Sequence, residues 1–122
     1  MNFKDNKAIY LQIADKICDD VMTGVHPPGS RIASVREYAA QVEVNSNTVM
    51  RSYDYLANAG ILYNKRGIGF FISDDARHKI TEIRRESFLN DEIFYFFKQL
   101  NLLDITPADL SAMYEEYREN NK

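Results

Sequence analysis

Arg36, Ser46, Asn47, Thr48, Arg51, Arg66 and Gly67 are the residues whose types and spacing best suit a chemical task. Ser46, Asn47 and Thr48 form one run of short hydrogen-bonding side chains, and Arg51 follows about one helical turn later. Such groups match the edges of bases, and an asparagine can pair with adenine through two hydrogen bonds. Arg51 suits a phosphate or a guanine, or else a surface ion pair with Asp54 three residues on. Lys65-Arg66-Gly67 combines positive charge with a residue that lets backbone approach a phosphate closely. The plain alternative is that these side chains are the solvated face of ordinary surface elements.

Other chemistries find no support in the spacing. Cys18 lies beside Ile17 with no metal-ligand pattern around it, so a structural thiol is expected. His26 and His78 stand far apart with no cysteine partners at zinc spacing, and no metal site is expected. There is no phosphate loop of the Walker type and no nucleophile elbow. No cofactor and no enzymatic activity are expected.

The elements that must position these residues follow from capping and periodicity. A helix over Asn45–Ala59 opens on a side chain able to cap backbone N–H groups and closes at Gly60. Val49, Tyr53, Leu56 and Ala57 make one apolar stripe, which leaves Asn47, Arg51, Asp54 and Asn58 on the opposite face. Upstream, Ser34-Val35-Arg36-Glu37 has the form of a capping box, starting a helix that runs to about Gln41. Arg36 therefore sits in a first turn, where backbone N–H groups attract phosphate. The short Val42-Glu43-Val44 connection makes the pair a helix-turn-helix. Next, Ile61–Lys65 and Phe70–Ser73 flank Arg66-Gly67-Ile68-Gly69, a hairpin signal, and a basic hairpin after a helix-turn-helix is the plan of a winged helix. Before all this, Ile9, Ile13, Ile17 and Val21 predict a helix over Ile9–Thr23, ended by His26-Pro27-Pro28-Gly29.

Beyond Asp74 the pattern is again helical. Leu89, Ile93, Phe96, Phe97 and Leu100 form one stripe, and Asn90-Asp91 either caps a second helix or lies inside a single one. Thr106-Pro107-Ala108-Asp109 predicts a capped helix start, followed by the stripe Leu110, Met113, Tyr114 and Tyr117. The expected fold is mainly α with a small β-hairpin wing. Residues 1–73 form the winged helix-turn-helix and residues 74–122 a helical tail.

Charge supports that division. The whole chain carries −3, but residues 1–73 carry +1, residues 31–73 carry +2, and residues 74–122 carry −4. An acidic tail discourages that end from approaching nucleic acid. Met1–Lys7 lacks an apolar core, so no secretory signal is expected, and no stretch approaches the ~20 apolar residues of a membrane span. A single cysteine fits a reducing cytoplasm.

The runs Ile9–Ala14, Pro28–Glu37, Asn45–Tyr53, Gly60-Ile61-Leu62 and Arg66–Gly69, in that order, resemble the GntR family of bacterial transcription regulators. The resemblance covers about residues 8–73, and the short remainder is similar to the YtrA-type subfamily with its small helical dimerisation tail. It implies a homodimeric repressor on a palindromic operator in double-stranded DNA, with Arg36 at the position of a DNA-contacting arginine. Ala33 departs from the proline usual there, and Ile68 and Phe70 replace more polar wing residues.

Phe88, Phe94, Tyr95, Phe96, Phe97, Tyr114 and Tyr117 crowd the tail, and two short helices have too little interior to hide them. An interface between two copies is expected. The rivals are docking on the chain's own winged helix and a pocket for a small-molecule effector, for which the tail lacks convergent polar groups. Two rival functions are an interaction module without specific DNA binding and a fragment of an aminotransferase-fused relative. The chain's end after a well-capped helix is expected to exclude the second.

Overall fold

A computed structural model describes residues 7–122. Met1–Asn6, where no signal peptide is expected, lie outside the described residues. Helix α1 (Ile9–Met22) buries Ile13, Ala14, Ile17, Cys18 and Val21, whereas Ile9, the first residue of the expected stripe, is exposed. Helices α2 (Val35–Val42) and α3 (Ser46–Asn58) follow. Strands β1 (Leu62–Lys65) and β2 (Gly69–Ile72) pair antiparallel, with Leu62 opposite Ile72 and Lys65 opposite Gly69. The loop between them is therefore Arg66-Gly67-Ile68, and Gly69 opens β2 rather than ending the turn.

Each boundary has a local cause. The Ser34 hydroxyl oxygen accepts the Glu37 N–H at 3.1 Å, and Glu37 Oε1 accepts the Ser34 N–H at 3.3 Å, completing the capping box. This exchange also holds the Glu37 carboxyl below its ordinary pKa. At the other end of α2, Glu43 adopts a left-handed conformation (φ 56°), and the Val44 N–H reaches back to the Ala39 carbonyl at 3.1 Å. At the end of α3 the Ile61 N–H does the same to Leu56 at 2.9 Å, and the chain turns into the wing.

A short extended segment that the sequence did not announce completes the sheet. The Gly29 and Ile32 N–H groups donate to the Ile72 and Phe70 carbonyls at 2.8 and 3.0 Å, and the Ile72 N–H donates to Ser30 at 2.8 Å. Residues 29–32 thereby cover one edge of β2.

Tyr53 joins these parts. It is wholly buried on α3, its ring meets Tyr38 and Phe70 edge-on at 6.0 and 5.1 Å, and its hydroxyl donates to the Ala33 carbonyl at 2.6 Å. Phe70, a departure on the wing, thus faces inward against the core.

Helix α4 (Ala76–Ser87) begins inside this unit: Ala76 and Ile80 belong to the same core, and Arg77 Nη2 donates to the Met22 carbonyl at 3.4 Å. The first compact unit consequently ends at Glu82 instead of the expected Ser73, and the second is Ile83–Lys122. In the second unit, Phe88–Glu92 form a π-helical turn that leads directly into α5 (Ile93–Leu102). Asn90-Asp91 lie within this wide turn, so the helix neither stops there nor continues regularly. Helix α6 (Pro107–Asn120) starts on Thr106, whose hydroxyl oxygen accepts the Asp109 N–H at 3.1 Å. All seven aromatic rings counted in the tail are exposed, with Phe96 the least at 44%.

Removing the Tyr53 hydroxyl should leave the Ala33 carbonyl without its partner. Tyr53→Phe is expected to lower stability by about 1–3 kcal/mol in urea titrations. Burial also raises the phenol pKa of Tyr53, and less strongly that of Tyr38, above the ordinary value near 10. The folded chain then holds those protons more tightly than the unfolded chain does. Stability is fully present below about pH 10 and declines above it. In Tyr53→Phe, which starts lower, that alkaline decline should be shallower; an identical slope would contradict the assignment.

Candidate nucleic-acid interface

The exposed edge of the helix-turn-helix begins at Asn45. Its side-chain oxygen accepts the Asn47 N–H at 2.8 Å, and the Thr48 N–H donates to the Asn45 carbonyl at 3.0 Å. Two of the first three N–H groups of α3 are thus engaged within the chain, and that of Ser46 is the one left to an outside acceptor. An outside group reaching this helix end would meet side chains more than free backbone N–H groups. Ser46 and Asn47 are exposed, and Thr48 is half-buried, with its carbonyl accepting from the Ser52 hydroxyl at 3.2 Å.

Arg36 is exposed in the first turn of α2. Arg51 is exposed on α3 but not unattended: its guanidinium carbon lies 4.1 Å from the centre of the Tyr10 ring. That stacking, not the pair with Asp54, is what the fold provides. Arg66 and Gly67 stand at the wing tip, where the Ile68 N–H closes a turn onto the Lys65 carbonyl at 2.8 Å. Gly67 has φ +79° at the third position of this turn, which a type II turn reserves for glycine. Ile68 is exposed beside it.

Several contacts at this surface were not read from the sequence. Lys65 Nζ sits 4.7 Å from the Phe71 ring, which stacks on Tyr63 at 5.6 Å. The alternation of strand residues signalled which face they share but not the stacking. Arg31 packs across the base of the wing: a Cβ on Gly69 would stand 3.0 Å from its Nε. Only the pairing of residues 29–32 with β2 brings Arg31 there. Met50 also reaches the exposed side of α3. Among the described residues, no group of three metal-ligating side chains is assembled, and no helix is long and apolar enough to cross a membrane.

A helix-turn-helix followed by a two-stranded wing defines the class as winged helix. Residues 9–72, just over half of the chain, match the model of the bacterial regulatory proteins of the gntR family. The chain belongs to that family. It is 35% identical over 88% of its length to the HTH-type transcriptional regulator YhcF of Bacillus subtilis strain 168, covering 88% of that protein. With the HTH-type transcriptional repressor YtrA of the same strain it shares 34% identity over 65% of this chain and 61% of the relative, consistent with the YtrA-type subfamily. A crystal structure of a GntR-family regulator from Bacteroides thetaiotaomicron superposes with a TM-score of 0.83 at 49% identity, over 94% of this chain and all of the other. The DNA-binding domain of AraR, solved in complex with operator ORR3, aligns over 52% of this chain and 77% of its own, with a TM-score of 0.51 and 26% identity.

The base of the wing gives a direct test of this geometry. Gly69 has φ +143°, a conformation that L side chains rarely adopt, and an added Cβ would also press on the movable end of the Arg31 side chain. Gly69→Ala is expected to cost about 1–3 kcal/mol by thermal or chemical denaturation. A variant as stable as the parent would contradict the positive-φ backbone at Gly69.

Proposed function

We propose that this chain is a sequence-specific DNA-binding transcriptional regulator, a repressor, which acts as a homodimer on a palindromic operator. The carrying observation is the grouping of exposed, hydrogen-bonding and basic side chains on the helix-turn-helix and wing of a gntR-family chain: Arg36, Ser46, Asn47, Arg51 and Arg66. In this reading α3 enters the major groove N-terminus first, and Ser46, Asn47 and Thr48 meet base edges and phosphates. Arg36 takes a phosphate or a base from the first turn of α2, and Arg66 with Gly67 takes backbone or minor groove. The AraR complex supports the reading by likeness of fold and sequence.

Self-association falls to the segment beyond Glu82. Its seven exposed rings and unpartnered stripe Met113, Tyr114 and Tyr117 make a surface that a second copy would cover. A dimer also addresses the modest +2 of residues 31–73 by presenting that charge twice. Joining two weak binders raises affinity roughly 10²–10⁴-fold through effective concentration.

Selection of bound duplexes from a random pool should yield a two-fold-related sequence with half-sites about one helical turn apart, or a multiple of it. Arg36→Ala should weaken binding to that sequence by about 1–3 kcal/mol if the arginine reads a base. A phosphate contact would instead weaken all duplexes alike and flatten the salt dependence. In sedimentation, the full chain should be dimeric at micromolar concentration, and a chain ending at Glu82 should be monomeric, binding far more weakly with roughly half the salt slope. A monomeric full chain, or equal affinity of the two, would contradict the dimer.

A further inference from the structure

Tyr10, the second residue of α1, is built into the exposed face of α3. Its backbone carbonyl accepts the hydroxyl proton of Ser52, a wholly buried residue of α3, at 2.7 Å. Tyr55 of α3 meets its ring edge-on, with centres 6.4 Å apart and planes at 75°. The Arg51 guanidinium lies 4.1 Å from the ring centre, well inside the range of a cation–π contact. Tyr10 is thus held at its backbone by Ser52 and at its ring by Tyr55, while Arg51 lies over that ring.

This arrangement bears on recognition. A free arginine side chain samples many rotamers, and fixing it on binding costs affinity. An arginine already lying on a ring has lost much of that freedom before any partner arrives. The stacked guanidinium still presents its N–H groups around its edge, where a planar acceptor pair can meet them. No ion pair competes: among the described residues Arg51 makes none with Asp54. We infer that Tyr10 is a positioning residue of the DNA interface, holding Arg51 in one orientation on the outer face of α3, a role that rests on the DNA-binding reading above.

The test compares Tyr10→Phe, which keeps the ring, with Tyr10→Leu, which keeps apolar volume without it. In the free full-length protein, the Arg51 side-chain protons should show a ring-current shift by NMR that persists in Tyr10→Phe and vanishes in Tyr10→Leu. On the duplex selected by the wild-type chain, Tyr10→Leu should lose on the order of 3- to 30-fold in affinity, while Tyr10→Phe stays close to wild type. Affinity for an unrelated duplex should change little in either variant. Tyr10→Leu added to Arg51→Ala should bring no further loss, because the ring then has nothing to position.

The inference alone is overturned by no ring-current shift at Arg51, by a Tyr10→Leu chain as tight as wild type, or by losses that add fully to those of Arg51→Ala. Tighter operator binding by Tyr10→Leu would also overturn it, since the ring would then be holding Arg51 away from DNA. Failure of the wild-type chain to select any duplex is a different result, and it overturns the DNA-binding reading itself.

Discussion

A buried phenol must find an acceptor for its hydroxyl, and much of this fold is arranged around the one that Tyr53 finds. Its acceptor is the carbonyl of Ala33, the residue just before the α2 cap. That bond spans twenty residues and ties the middle of α3 to the entrance of α2. The ring's other neighbours, Tyr38 and Phe70, come from α2 and the wing. Three elements therefore meet at one side chain, and the angle between the two helices is not free to vary. This bond and the capping box at Ser34 hold the entrance of α2 in place.

The surface consequences follow from the same packing. With Val49, Tyr53 and Leu56 inward, helical periodicity sends Asn47 and Arg51 outward. Capping uses the Asn47 and Thr48 N–H groups, so the helix end offers side chains more than a bare backbone anion site. Arg36 and Arg66 stand on neighbouring elements of the same compact unit. The tail follows another logic. Its rings are left exposed in a segment whose acidic charge weakens any attraction to DNA.

Much of this was legible in the sequence, because short-range rules decide it. Ser34 and Glu37, Asn45, and Thr106 with Asp109 act within three residues of themselves, and each cap forms as the sequence predicts. Tyr53 was readable as a core position from the spacing of Val49 and Leu56. What escaped depends on partners distant along the chain. The pairing of residues 29–32 with β2 joins segments some forty residues apart. The burial of Ala76 and Ile80, which moves the boundary to Glu82, needs the core already formed. Arg51 on Tyr10 joins α3 to α1, so an ion pair with nearby Asp54 was the only local alternative. The π-helical turn at Phe88–Glu92 carries no short-range signature, and Asn90-Asp91 fitted a cap or the inside of one helix equally. At the candidate interface, residue types were readable, but which of them arrive already held was not.

On the proposed function, the first turn of α2, the N-terminal half of α3 and the wing tip meet DNA. Backbone and side-chain NMR shifts recorded while a selected duplex is added to the full-length protein test it most directly. The largest changes should fall on Arg36, Ser46, Asn47, Thr48, Arg51, Arg66 and Gly67, with residues 107–120 little moved. Changes concentrated in the aromatic tail, with α3 silent, would contradict it.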